Sequence, residues 1–202
     1  VLTVQDAFTQ RIREMYPKFE MIETLYHGGF ASEQVPRWED REIDVFFPGS
    51  YTSREAVWEK LKKIDGIMGS IAQKVAARLI QNGHIRTWDE ELRCYLEEIQ
   101  FEMSEDEFQT LLRAFYPLDE FQRVCIRERM LEELLKAGRR VSVVGRGWNT
   151  YQGGGSENLD ILSEEGVDIT EVIRYMQNSR IVLHNINFET GMHERIFTAM
   201  LA

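Results

Sequence analysis

Cysteine is nearly absent from this 202-residue chain. Only Cys94 and Cys125 occur, both in helix-like sequence, which excludes a disulfide framework and the paired cysteine spacing of a zinc site. Positive charge is also short: 24 Lys and Arg face 34 Asp and Glu, a formal net charge of −10. Nucleic acid and anionic membrane surfaces are held by clustered cations, so neither is an expected partner. A small anionic ligand stays compatible with this balance, because a few local amides are enough to bind it. No apolar run approaches the ~20 residues of a membrane span, and no charged-then-apolar signal segment opens the chain. The expected setting is reducing and cytoplasmic. An initiating methionine and a capped ending are missing too: the sequence opens in the apolar run VLTV and stops at Ala202 inside a helical pattern, which reads as a piece excised from a longer polypeptide.

What is present begins with a hydrophobic content of 43%, enough for a substantial core. The most informative stretch is 178–202, NSRIVLHNINFETGMHERIFTAMLA. Ile181, Val182 and Leu183 form a run too short for a helix, which predicts a strand over 180–187 buried on both faces of a parallel sheet. Residues 188–191 supply a turn, and Ile196, Phe197, Met200 and Leu201 then recur at helical spacing. A strand–turn–helix of this kind aims the backbone N–H groups of Gly191, Met192 and His193 at the positive end of a helix dipole, where a diphosphate can sit. His193, Glu194 and Arg195 add an imidazole, a carboxylate and a guanidinium at the same helix start. The plain alternative is a glycine that merely turns the chain, with Glu194 as a first-turn acid.

Along the rest of the chain, 1–4 predicts a strand and 6–15 a helix ended by Pro17, with a second short strand over 20–25 and a turn at Tyr26-His27-Gly28-Gly29. Residues 31–42 are polar, contain Pro36 and read as a linker. A strand over 43–47 follows, closed by Pro48-Gly49-Ser50-Tyr51, with a long helix beginning near Ser53. Gly49 and Ser50 thus make a second strand-to-helix turn, either facing the same ligand as Gly191 or only connecting elements. From Ala56 to Gly138 the sequence is helical nearly throughout. One pattern runs unbroken from Val57 to Leu79, a second helix covers 88–99, Ser104 and Glu107 have capping-box spacing, and Pro117 starts a helix that Gly138 ends.

Val141 to Val144 predicts a third parallel strand, leading to Gly145-Arg146-Gly147-Trp148. The dinucleotide fingerprint fails here, because Thr150 stands where its third glycine or alanine belongs. What remains is a turn carrying Arg146, a phosphate partner, and Trp148, a wall for a base or sugar or else a packing ring. Residues 151–158 read as a mobile glycine-rich loop. A weak strand over 158–162 and a helix capped by Asp168 or Thr170 precede the final strand. The fold class expected is α/β.

VVGRGW, GVDITEVIRYMQNSRIVLHNIN and GMHERIFTAMLA together resemble the carboxy-terminal half of the CgeB-like glycosyltransferases, of glycosyltransferase family 1 type with a GT-B fold. The opening VLTVQDAFTQRIREMYPKFEMIETLYHGG and REIDVFFPGSY are similar to the same family. The resemblance implies residues 1–30 as the end of an acceptor lobe, 31–42 as a linker, and 43–202 as a Rossmann-like nucleotide-sugar lobe. That lobe would carry a helical segment over 53–138 and be truncated at its carboxyl end. It further implies a nucleotide-diphosphate sugar donor, such as a UDP-sugar, with no obligatory metal and an unspecified glycan, protein or small-molecule acceptor. Gly191, Met192 and His193 would take the diphosphate, Gly49, Ser50 and Tyr51 the phosphate or sugar side, and Arg146, Gly147 and Trp148 another wall. Glu194 and Arg195 would contact sugar or diphosphate as the catalytic pair. The two glutamates that related families space eight residues apart fall here on Thr190 and Thr198. By itself the fragment is expected to be inactive, because transition-state binding needs both lobes around the breaking bond. A nucleotide-independent binding or structural module of the same fold is the alternative, and a nicotinamide-dependent oxidoreductase is disfavoured by the missing glycine.

Overall fold

A computed structural model describes residues 2–3, 6–15, 18, 21, 23–24, 35–83, 86–185 and 194–202. Near the amino terminus β1 (Leu2–Thr3) pairs in parallel with β2 (Glu23–Thr24), joined through α1 (Asp6–Met15). The β-branched and aromatic runs farther on become β3 (Ile43–Pro48), β4 (Val141–Val144), β5 (Leu159–Ser163) and β6 (Ser179–Val182). These four pair in the order β5-β4-β3-β6, every neighbour parallel, which makes a Rossmann-like α/β sheet. The helices are α2 (Arg54–Leu61), α3 (Gly66–Gln81), α4 (Trp88–Glu98), α5 (Glu105–Ala114), α6 (Pro117–Lys136), α7 (Ile169–Gln177) and α8 (Glu194–Leu201). No helix among the described residues is long and apolar enough to cross a membrane.

By its internal contacts the chain divides into two units. Described residues within Val1–Leu25 and Arg54–Ile126 belong to one, and those within Tyr26–Ser53, Arg127–Ile186 and Met192–Ala202 to the other. The helical middle therefore groups with the amino-terminal strands, and α6 contributes its first half to one unit and its second half to the other.

In the helical unit, one core joins Val57, Leu61, Val75, Leu79, Leu92, Phe115 and Phe121. Its helix ends are set by local chemistry. Thr87 and Glu90 form a capping box on α4, and Ser104 and Glu107 form another on α5. Reciprocal bonds with Ser104 also hold the Glu107 carboxyl below its ordinary range. The pattern from Val57 to Leu79 predicts one helix, but the chain breaks between α2 and α3. Gly66 there has φ of +66°, and a side chain at Gly69 would collide with the Ile64 carbonyl, so these two glycines admit a sharp bend that apolar periodicity does not register.

In the sheet unit, alternation along the strands sends side chains to both faces. Val45 and Phe47 of β3 and Val141 and Val143 of β4 pack with Leu131 and Leu135 of α6. Phe46 and Val144 point the other way, toward Met176 of α7 and Ala199 of α8. Phe46 and Phe47 are both 0% exposed, and each contributes about 2–3 kcal/mol by burial. Asp168 caps α7 by accepting from the Glu171 backbone N–H at 3.0 Å. Gly138, at φ of +73°, lets Arg139 N–H return to the Leu134 carbonyl at 3.0 Å and closes α6.

Two expectations for this unit are corrected. The strand over 180–187 is not buried on both faces: β6 ends the sheet among the described residues, and Ile181 is 49% exposed. Burial on both sides needs a neighbour, and a run of β-branched residues cannot report whether one exists. The stretch 151–158 is not a free loop either. Asn158 donates to the Leu135 carbonyl at 3.0 Å, and a Cβ on Gly155 would lie 2.6 Å from the Leu135 carbonyl carbon. The glycines lay the connection from β4 to β5 directly on α6.

Candidate functional site

The carboxyl ends of β3 and β4 are stitched together. Gly49 N–H donates to the Val144 carbonyl at 2.9 Å, and Tyr51 N–H to the Arg146 carbonyl at 2.8 Å. Arg146 N–H in turn reaches the Ser50 hydroxyl at 3.3 Å, and the Trp148 indole N–H donates to the Gly49 carbonyl at 2.7 Å. Such close approach needs bare backbone. A Cβ on Gly145 would lie 2.8 Å from the Gly49 carbonyl, and Gly147, at φ of +89°, faces the Tyr51 carbonyl. Glycine spacing that resembles a phosphate fingerprint here serves loop-to-loop packing.

The sequence-derived site residues separate into three groups. Gly49, Ser50, Arg146 and Gly147 meet at the strand ends, with Ser50 and Arg146 exposed. Tyr51 and Trp148 do not line a groove. Trp148 is 1% exposed, stacks on Tyr51 with ring centroids 5.1 Å apart, and meets Phe47 edge-on at 5.9 Å. The Tyr51 hydroxyl donates to Glu128 at 2.8 Å. The resemblance placed both rings as ligand walls, with packing as the other reading of Trp148; their indole and phenol groups are used inside the fold, because aromatic area of this size is worth more buried. Gly191, Met192 and His193 lie outside the described residues. Glu194 opens α8, and Arg195 follows it.

Arg195 is the link between these places. A Cβ built on Gly49 would stand 3.9 Å from its Nη1, so the guanidinium lies beside the turn that follows β3. β3 and β6 are adjacent, yet the chain reaches β6 only after passing outward through β4 and β5. This reversal is the topological switch point, beside whose strand ends α/β sheets open a crevice for ligands. Thr198, where a related pattern would have glutamate, is 2% exposed.

Arg127 was not anticipated. Its Nη1 donates to the Ser50 carbonyl, and its guanidinium sits 5.4 Å from the Phe47 ring centroid. It holds the β3 turn from α6, inside a stripe whose sequence reads as core. Among the described residues no group of three or more His, Cys, Asp or Glu side chains could hold a metal ion.

Nearby, burial together with the Glu132 and Glu128 charges pushes the Tyr151 hydroxyl up to about 12. No hydrogen-bond partner for that hydroxyl occurs among the described residues. No family model, curated protein or solved structure matches this chain.

Proposed function

We propose that this chain is the donor-binding part of a GT-B glycosyltransferase, which passes a sugar from a nucleotide-diphosphate sugar to an acceptor hydroxyl. The observation that carries the reading is Arg195 beside Gly49, where the order of the parallel strands reverses between β3 and β6. As the bond from the anomeric carbon to the diphosphate breaks, negative charge gathers on the departing oxygen. Arg195 stabilises that charge, and the dipole at the start of α8 adds to it. Exposed Arg146 and the Ser50 hydroxyl offer further donors to phosphate oxygens. The acceptor oxygen attacks the same carbon and releases its proton, a step that needs a second lobe to bring the acceptor close.

Thermal unfolding of the 202-residue chain with UDP, GDP, CDP, ADP and their sugar conjugates tests this. A bound nucleotide at a hundredfold excess over Kd stabilises by about 2.7 kcal/mol. Arg195→Ala is expected to abolish that shift and leave the unliganded Tm within a degree or two. Absence of any shift in the wild-type chain, or a shift untouched by Arg195→Ala, would favour a binding module that uses no nucleotide.

A further inference from the structure

A concave site lies along β6, which ends the sheet among the described residues. It is a pocket of about 260 Å³ walled by β6, the end of α7 and one face of α8. Its polar lining is Arg41, Arg180, Arg195 and His184, set around an apolar floor that includes Val182 and Ile196. Among the described residues no Asp or Glu lines it, although acids outnumber bases by 34 to 24 along the chain. Arg41 and Arg180, with no carboxylate partner among the described residues, favour an anionic occupant in so acidic a protein.

The two ends of this pocket differ. Arg195 and His184 stand toward the carboxyl end of β6, near the crevice described above. Arg41 and Arg180 stand at its amino end, where Ser179 is paired with Ile43. Arg41 is held in place: its Nη1 donates to the Ser179 carbonyl at 2.8 Å, and its guanidinium is 5.9 Å from the Trp38 ring centroid. Arg180 is exposed and has no carboxylate partner among the described residues. The volume falls just below the range of about 300–1,000 Å³ typical of drug-sized ligands, so the occupant is small.

We propose that this pocket binds a small amphipathic anion, a carboxylate on a short apolar chain. The carboxylate is held by Arg180 and Arg41, whose planar forks suit it. The chain lies over Val182, Ile196 and Ala199. Arg195 borders both this pocket and the nucleotide crevice, but the carboxylate end of the pocket, at Arg41 and Arg180, lies away from the strand ends that face the diphosphate.

Isothermal titration of the 202-residue chain with octanoate, acetate and octanol separates the contributions. Octanoate is expected to bind at least tenfold more tightly than either control, because only it carries both charge and chain. Arg180→Glu, at an exposed position, should weaken octanoate at least tenfold with an unchanged circular dichroism spectrum. Ala199→Phe should block it by filling the floor. UDP should not displace octanoate. Equal affinity for octanol, unchanged binding in Arg180→Glu, no octanoate binding by the wild-type chain, or competition by UDP would each overturn the proposal.

Discussion

The buried Glu91 of the helical unit and the exposed Arg146 and Arg180 of the sheet unit show two different uses of charge. Between α3 and α4, Glu91 is 0% exposed, yet every charge around it is answered. Arg78 Nε donates to its Oε1, Asn82 to its Oε2 at 3.1 Å, and Arg86 lies 3.6 Å from that same oxygen. Gln122 closes the arrangement by accepting from Trp88 N–H at 3.0 Å and donating to the Arg86 carbonyl at 2.6 Å. Across the sheet unit, by contrast, Arg146 and Arg180 stand exposed at loop and strand ends. Charge cancelled internally builds a scaffold, whereas charge left facing solvent is available to a ligand.

Breaking the cancelled charge should have the largest effect. Glu91→Ala leaves the Arg78 guanidinium without its buried counter-ion and is expected to cost about 3–5 kcal/mol, read by urea denaturation followed by circular dichroism. Arg180→Ala, the matching truncation on the sheet, should change stability by no more than about 0.5 kcal/mol. If the two cost the same, the contrast between units fails.

A smaller loss is expected from Gly147→Ala, which forces a side chain into positive φ against the Tyr51 carbonyl. About 2 kcal/mol is expected from the backbone strain and displaced contact. Because that change disturbs the turn at Gly49 and Ser50, nucleotide protection should fall with it. Full protection in a destabilised Gly147→Ala chain would separate the loop packing from the site.

The smallest change concerns Tyr151. Its raised folded pKa means the neutral phenol favours the native state below the unfolded value near 10, with that advantage lost as pH rises toward about 12. Tyr151→Phe removes a buried hydroxyl that has no partner among the described residues. It should be neutral or stabilising by up to about 1 kcal/mol, and should flatten the decline in Tm between those two pH values. A decline as steep as that of the wild-type chain would assign the alkaline loss to other groups.

Much of the architecture was legible because it is written locally. The four strands of the main sheet, the capping box at Ser104, the Asp168 cap and the Gly138 stop all depend on residues a few positions apart. Long-range facts were not legible. Nothing in IVL reveals that β6 has one neighbour instead of two among the described residues, and nothing within an apolar helical stripe marks Arg127 as the clasp on Ser50. Trp148 is instructive because its two readings, wall and core, differ only in which residues reach it from 97 and 101 positions away. The pocket along β6 joins Arg41 to Arg180 and Arg195, a proximity that only the parallel pairing of β3 with β6 creates.

The run Gly153-Gly154-Gly155 carries a consequence for how this sequence can drift. A Cβ on Gly154 would come within 2.6 Å of Lys136 Cε, and one on Gly155 as close to the Leu135 backbone. Gly154 and Gly155 are a thin gasket against a helix, while Gly153 makes room for the Tyr151 ring. Positions 154 and 136 should therefore vary in concert across descendants of this chain: bulk gained in the loop would demand bulk surrendered by the helix at 136, while at 155 the obstacle is main chain and no such trade exists.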